Sequence, residues 1–103
     1  MEKFIVLPRA VLLATAEAQV VLAVIASHYN IKSKCAYPSI DRIARISHLG
    51  ENTVHRTIDE LEKLGLLESH RRKRADGGDT SNEYRLPWFP ENAEDKKNIH
   101  RVR

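Results

Sequence analysis

A single cysteine, Cys35, stands in a chain of 103 residues. It cannot close an intrachain disulfide, and its solitude removes disulfide frameworks and cysteine-paired zinc patterns from consideration. A reducing, cytoplasmic setting is the expectation. Glycine and proline number four each, too few for a collagen-like or low-complexity chain. No run of about 18 apolar residues occurs of the kind that spans a bilayer, because Thr15, Glu17 and Gln19 interrupt the stretch from Val11 to Ala26. No membrane partner is expected. Lys3 ahead of the apolar residues 4–7, with Ala16-Glu17-Ala18 downstream, imitates a secretory signal, but Pro8 and Arg9 fall inside the supposed apolar region. Internal repeats are absent as well.

What is present is the composition of an ordinary globular domain, with 42% hydrophobic and 30% charged residues. The length suits one core rather than two. Seventeen Lys and Arg against fourteen Asp and Glu give a formal charge of +3 and a pI near 9.2. So small an excess favours a polyanion partner only where it is clustered.

Residues 4–7 read as a short strand or extended lead-in closed by Pro8. Thr15 is a hydroxyl N-cap, and Glu17 in the first turn suits the dipole of a helix running to about Tyr29. That helix is apolar on all sides from Val20 to Ala26, which places it at the centre of a small bundle. Cys35-Ala36-Tyr37 before Pro38 reads as a very short strand. Ser39 caps a second helix, from Ile40 to about Ile46, in which Ile40, Ile43 and Ala44 share a face. After the turn Ser47-His48-Leu49-Gly50, a third helix runs from Glu51 to Leu64 with Val54, Ile58, Leu61 and Leu64 on one side. Gly65 sits where a left-handed cap is expected. Ala44 stands where the two helices cross, and Leu49 fills the space beneath the turn. Residues 66–72 and 82–86 then read as two strands flanking a polar loop that contains Gly77-Gly78. The expected class is mainly α with a small β-hairpin (α+β), a winged helix-turn-helix over residues 1–86. Residues 87–103 read as a C-terminal tail or linker, with Trp88 and Phe89 docked on the domain.

This element order places the third helix in the major groove of DNA. If Val54, Ile58, Leu61 and Leu64 face the core, then Asn52, His55, Arg56 and Asp59 face outward. Arg reads guanine and Asn reads adenine through paired hydrogen bonds, so Asn52 and Arg56, one turn apart, are the candidate base readers. His55 joins them by position, while Asp59 suits a solvated face. Residues 70–74 contain Arg71, Arg72, Lys73 and Arg74, four of the seventeen basic residues in a row. Beside a helix-turn-helix such a cluster suits phosphate or minor-groove contact, although a charged edge also blocks unwanted strand pairing. Ser39 and the start of the second helix offer groups to a phosphate. His28, near the end of the first helix, reads as structural. Metal-spaced pairs and nucleophile motifs are absent from the sequence, so neither catalysis nor a cofactor is expected.

Residues 36–44, reading Ala-Tyr-Pro-Ser-Ile-Asp-Arg-Ile-Ala, precede Thr-Val-His-Arg-Thr-Ile at 53–58 and Leu-Glu-Lys-Leu-Gly-Leu-Leu at 61–67. With Ser-Asn-Glu-Tyr-Arg-Leu at 81–86, these segments resemble the winged helix-turn-helix domain of plasmid and phage replication initiators. Many bacterial transcription regulators share the pattern. The resemblance implies binding to double-stranded DNA at repeated sites, often as a homodimer. It matches Asn52, Thr53, His55 and Arg56 to base- or phosphate-contacting positions. Two residues depart from the family: His48 holds a turn position usually given to glycine, and Gly50 replaces the usual Ser or Thr cap of the third helix. The rival function is a winged helix that meets a protein partner in a replication or transcription assembly. RNA binding ranks lower because no aromatic residues interleave the basic segment to stack on unpaired bases.

Overall fold

The computed structural model describes residues 5, 7–70 and 82–89. Its organising element is α1, Ala16–Ser27. The Thr15 hydroxyl accepts the Ala18 N–H at 3.3 Å, satisfying one of the free donors at the helix start. α1 buries Ala18, Val21, Leu22, Val24, Ile25 and Ala26 and packs against both following helices. The all-round apolar stretch thus marks the central helix. Val20, 45% exposed, and the half-buried Ala23 depart from it.

Ahead of α1, Pro8 starts a 3-10 turn, Arg9–Leu13, for which the sequence pattern gives no sign. Val11 is its buried contact, while Leu12 and Leu13 point outward. Of the lead-in residues, Ile5 and Leu7 are described; neither is in a strand, and Leu7 packs on the core.

Ser39 caps α2, Ile40–Ser47, by accepting the Arg42 N–H at 3.0 Å. Ile43 is fully buried, with Ile40, Ala44 and Leu49 packed partly against the core. His48 ends α2 in the left-handed region, φ 63° and ψ 32°, and Leu49 N–H reaches back to the Ala44 carbonyl at 3.1 Å. α3, Glu51–Lys63, starts from Gly50 without a side-chain cap. Val54, Ile58 and Leu61 face inward as expected, joined by Thr57, whose hydroxyl donates to the Val54 carbonyl at 2.8 Å. That bond to the preceding turn lets a polar residue occupy the core.

Leu64 is a correction, since it is 41% exposed. α1 begins level with Glu60, where Thr15 is hydrogen-bonded, so a residue one turn further on has no helix above it. Gly65, φ 76°, turns the chain there, and Leu66 and Leu67 enter the core instead.

The hairpin strands are shorter than expected where described: β1, Glu68–His70, and β2, Glu83–Arg85. They pair antiparallel as Glu68 with Arg85, Ser69 with Tyr84 and His70 with Glu83. The expected strand around Ala36 is reduced to two isolated antiparallel bridges, Cys35 to Asn30 and Ala36 to Tyr84, the latter with both N–H···O bonds at 2.8 Å. Tyr84 and Ala36 are completely buried, so their bridge fastens the hairpin base beneath the helices. Beyond β2, Trp88 and Phe89 dock on the domain as expected. The Trp88 indole donates to the Leu66 carbonyl at 2.8 Å, and Phe89 stacks on Tyr29 with ring centroids 4.0 Å apart. No helix among the described residues is long and apolar enough to cross a membrane.

Candidate nucleic-acid interface

With one side of α3 locked against α1 and α2, its remaining face is fixed by helical geometry. Asn52, His55, Arg56 and Asp59 are all exposed on that face, and Thr53 is half-buried at its margin. The turn at His48-Leu49-Gly50, three residues rather than the expected four because α2 extends through Ser47, and the two helices it joins thus bring together the side chains singled out on α3. Arg56 borders an open groove of about 410 Å³ with Leu13, Asp59, Glu60, Lys63 and Leu64.

Glu60, one turn beyond Arg56, would be its natural ion-pair partner. Its carboxylate is committed elsewhere, accepting from the Thr15 N–H at 2.8 Å and the Thr15 hydroxyl at 2.9 Å. Among the described residues no carboxylate pairs with Arg56, so its guanidinium keeps its donors for a ligand. Arg45 and Arg85 are different, each being tied to a carboxylate, Asp41 and Glu83 respectively. The Glu83 contact, 2.8 Å, raises the Arg85 pKa above its already high ordinary value.

Ser39 is occupied as the α2 cap, its oxygen taken by the Arg42 N–H, while its own hydroxyl hydrogen remains to donate. Arg71, Arg72, Lys73 and Arg74 lie outside the described residues. His70, the last described residue of β1, is exposed and precedes them in sequence.

His28 is structural, as its place in the sequence suggests, and does more than meet a helix dipole. It caps α1, and its ring links the Val24 carbonyl on one side to Arg42 on the other. Arg42 has no sequence signal of its own. Its spacing from Ser39 marks it only as an exposed helix residue, and the partner that sets it apart lies fourteen positions away. Among the described residues no group of three or more His, Cys, Asp or Glu gathers to hold a metal.

The model of a family described as "Helix-turn-helix domain" matches residues 15–67, more than half of the chain. The match runs from the cap of α1 to the start of the hairpin. Among solved structures, the chain is similar to one described as a possible transcriptional regulator from Methanosarcina mazei Go1. The TM-score is 0.56 at 15% identity, over 90% of this chain and 72% of that one. At that identity the likeness speaks for the fold, three helices followed by an antiparallel hairpin. No curated protein matches. The chain belongs to the helix-turn-helix domain family, as a DNA-binding domain of the winged type.

Proposed function

We propose that this protein binds double-stranded DNA in a sequence-specific manner, with α3 in the major groove and the basic wing segment on the adjoining backbone or minor groove. The observation that carries the reading is the outward face of α3, where Arg56 and Asn52 stand exposed one turn apart and Arg56 is left without a carboxylate among the described residues. Arg to guanine and Asn to adenine are the paired hydrogen bonds that discriminate bases. Arg71, Arg72, Lys73 and Arg74 supply charge that positions without specifying. The reading invokes no catalysis and no cofactor.

The biological role is regulation of transcription or initiation of plasmid or phage replication. The first is favoured by the description of the structural neighbour as a possible transcriptional regulator, the second by the sequence resemblance to replication initiators. A homodimer on a palindromic or directly repeated site fits either role, because half-site spacing mirrors the symmetry of the protein. Selection from randomised duplex DNA tests the reading, followed by titration of enriched and scrambled sequences at two salt concentrations. An enriched motif with a steep salt slope is expected, and a repeated motif reports the dimer. Absence of enrichment, with weak and salt-insensitive retention, would transfer the third helix and wing to a protein partner.

A further inference from the structure

Arg42 is held in a way that no other described arginine is. Its Nε–H donates to His28 Nε2 at 3.0 Å, and the other ring nitrogen, Nδ1, lies 2.8 Å from the Val24 carbonyl oxygen. A carbonyl only accepts, so Nδ1 carries the hydrogen and Nε2 presents its lone pair to the guanidinium. The imidazole is half-buried at the cap of α1, which anchors one edge of the Arg42 fork to the central helix. Its two terminal nitrogens meet no carboxylate among the described residues.

Arg42 borders a groove of about 500 Å³ that is also lined by His28, Asn30, Tyr37, Pro38 and Ser39. That lining carries one full positive charge, two hydroxyls and no carboxylate. Asp41, the acidic residue of the first turn of α2, is engaged by Arg45, which reduces its repulsion of an incoming anion. A guanidinium fork fits two oxygens of a phosphate at once. A long side chain already fixed at Nε also loses less rotamer freedom on binding. In a helix-turn-helix the helix preceding the reading helix crosses the DNA backbone, and here that helix is α2.

We propose that Arg42 is a phosphodiester clamp for duplex DNA, set in position by His28 acting as a positioning residue. The proposal rests on the duplex-binding reading above and adds a contact site and its support. The Arg42 terminal nitrogens and the Ser39 hydroxyl donate to the phosphate oxygens, and the His28 ring keeps the fork turned toward them.

The test is a double-mutant cycle on the full chain, read by anisotropy with a labelled duplex of randomised sequence across a salt series. Arg42→Ala is expected to reduce the slope of log affinity against log salt by about 0.9, the amount for one phosphate no longer neutralised. His28→Ala is expected to weaken binding roughly two- to tenfold, the cost of ordering one freed side chain, and to add nothing in the Arg42→Ala background. His28→Gln, which keeps an acceptor, is expected to restore most of the affinity. Melting curves establish that each variant is folded at the assay temperature. If His28→Ala is not, His28→Leu replaces it, keeping bulk without an acceptor. A purely architectural His28 would lower affinity equally with and without Arg42, and that result overturns its positioning role. Wild-type binding with an unchanged slope in Arg42→Ala overturns the clamp and leaves duplex binding standing. A wild type with no duplex affinity removes both.

Discussion

Glu60 of α3 grips Thr15 at the start of α1 through both carboxylate oxygens, across 45 positions of sequence. A helix start is often closed by a reciprocal pair, in which the cap hydroxyl accepts from the third residue and a Glu at that position returns to the cap N–H. In α1 the hydroxyl half is present, but the third residue is Ala18. Glu60 supplies the missing half from another helix. One carboxylate therefore closes α1, ties it to α3 and leaves Arg56 without its neighbour. Glu60→Ala is expected to lower unfolding free energy by roughly 1–2 kcal/mol, the range for hydrogen bonds to a charged group at a partly exposed site. Glu60→Gln should lose about half as much, since one oxygen remains to accept. Midpoints of urea unfolding for the three proteins decide the matter, and coincident curves would show the interaction to be energetically idle.

The turn between α2 and α3 carries a conformational penalty that can be removed. His48 lies at φ 63°, where the side chain of an L-residue crowds the following carbonyl at a cost of about 1–2 kcal/mol. His48→Gly is expected to raise stability by up to about 1 kcal/mol, part of the gain being cancelled by the extra freedom of glycine in the unfolded chain. The converse applies at Gly65, φ 76°, where an added Cβ meets nothing within 4 Å. Gly65→Ala should destabilise by about 1 kcal/mol through the backbone alone. Opposite shifts in melting temperature are the expected result.

Tyr84 joins the bridge to Ala36 and the register of the hairpin, and its burial pushes the hydroxyl pKa above the ordinary tyrosine value. The folded state thus holds the proton more tightly than the unfolded state. This contribution is complete below the unfolded pKa of about 10 and is lost as pH rises through the higher folded value. Unfolding midpoints measured from about pH 9 upward should fall more steeply for the wild type than for Tyr84→Phe. Parallel curves would mean that Tyr84 does not report the base of the hairpin.

Trp88 and Phe89 fasten the hairpin from its far side. The Trp88 indole reaches the carbonyl of Leu66, the first residue after the Gly65 turn, while Phe89 lies on Tyr29 just past α1. Phe89→Ala is expected to cost about 2 kcal/mol, below the roughly 3–5 typical of a fully buried ring because this one is half-exposed. Trp88→Phe should cost about 1 kcal/mol for the missing hydrogen bond. Urea midpoints indistinguishable from the wild type would show that the two rings rest on the domain without supporting it.

The parts of this fold visible in the sequence are those written in local chemistry. Thr15 and Ser39 announce helix starts, His48-Leu49-Gly50 breaks the apolar period, and Gly65 stops α3. What escapes is set by partners distant in the chain. The outward turn of Leu64 depends on where α1 begins, which Glu60 and Thr15 establish together. The reduction of the Ala36 strand to isolated bridges depends on how Tyr84 enters the core. Arg42 has no local mark at all, because the ring that holds it caps a different helix. On α3 the inward and outward faces are legible from periodicity, which is why Asn52, His55 and Arg56 stand where the apolar pattern places them.

Arg56 and the wing segment should fail in different ways if the proposed division of labour is right. Arg56→Ala removes a bidentate contact to one base pair, at about 1–3 kcal/mol on the preferred sequence and with relaxed preference at a single position. Scrambled DNA should register only the removal of one positive charge. Neutralising Arg71, Arg72 and Arg74 removes charge that carries no sequence information, so affinity for preferred and scrambled duplexes should fall together. The salt slope should flatten by about 0.9 for each phosphate no longer neutralised. Competition titrations at two salt concentrations separate the two behaviours. An equal fall in affinity on preferred and scrambled DNA for Arg56→Ala would make it a backbone contact, leaving Asn52 and His55 as the candidates for reading the site.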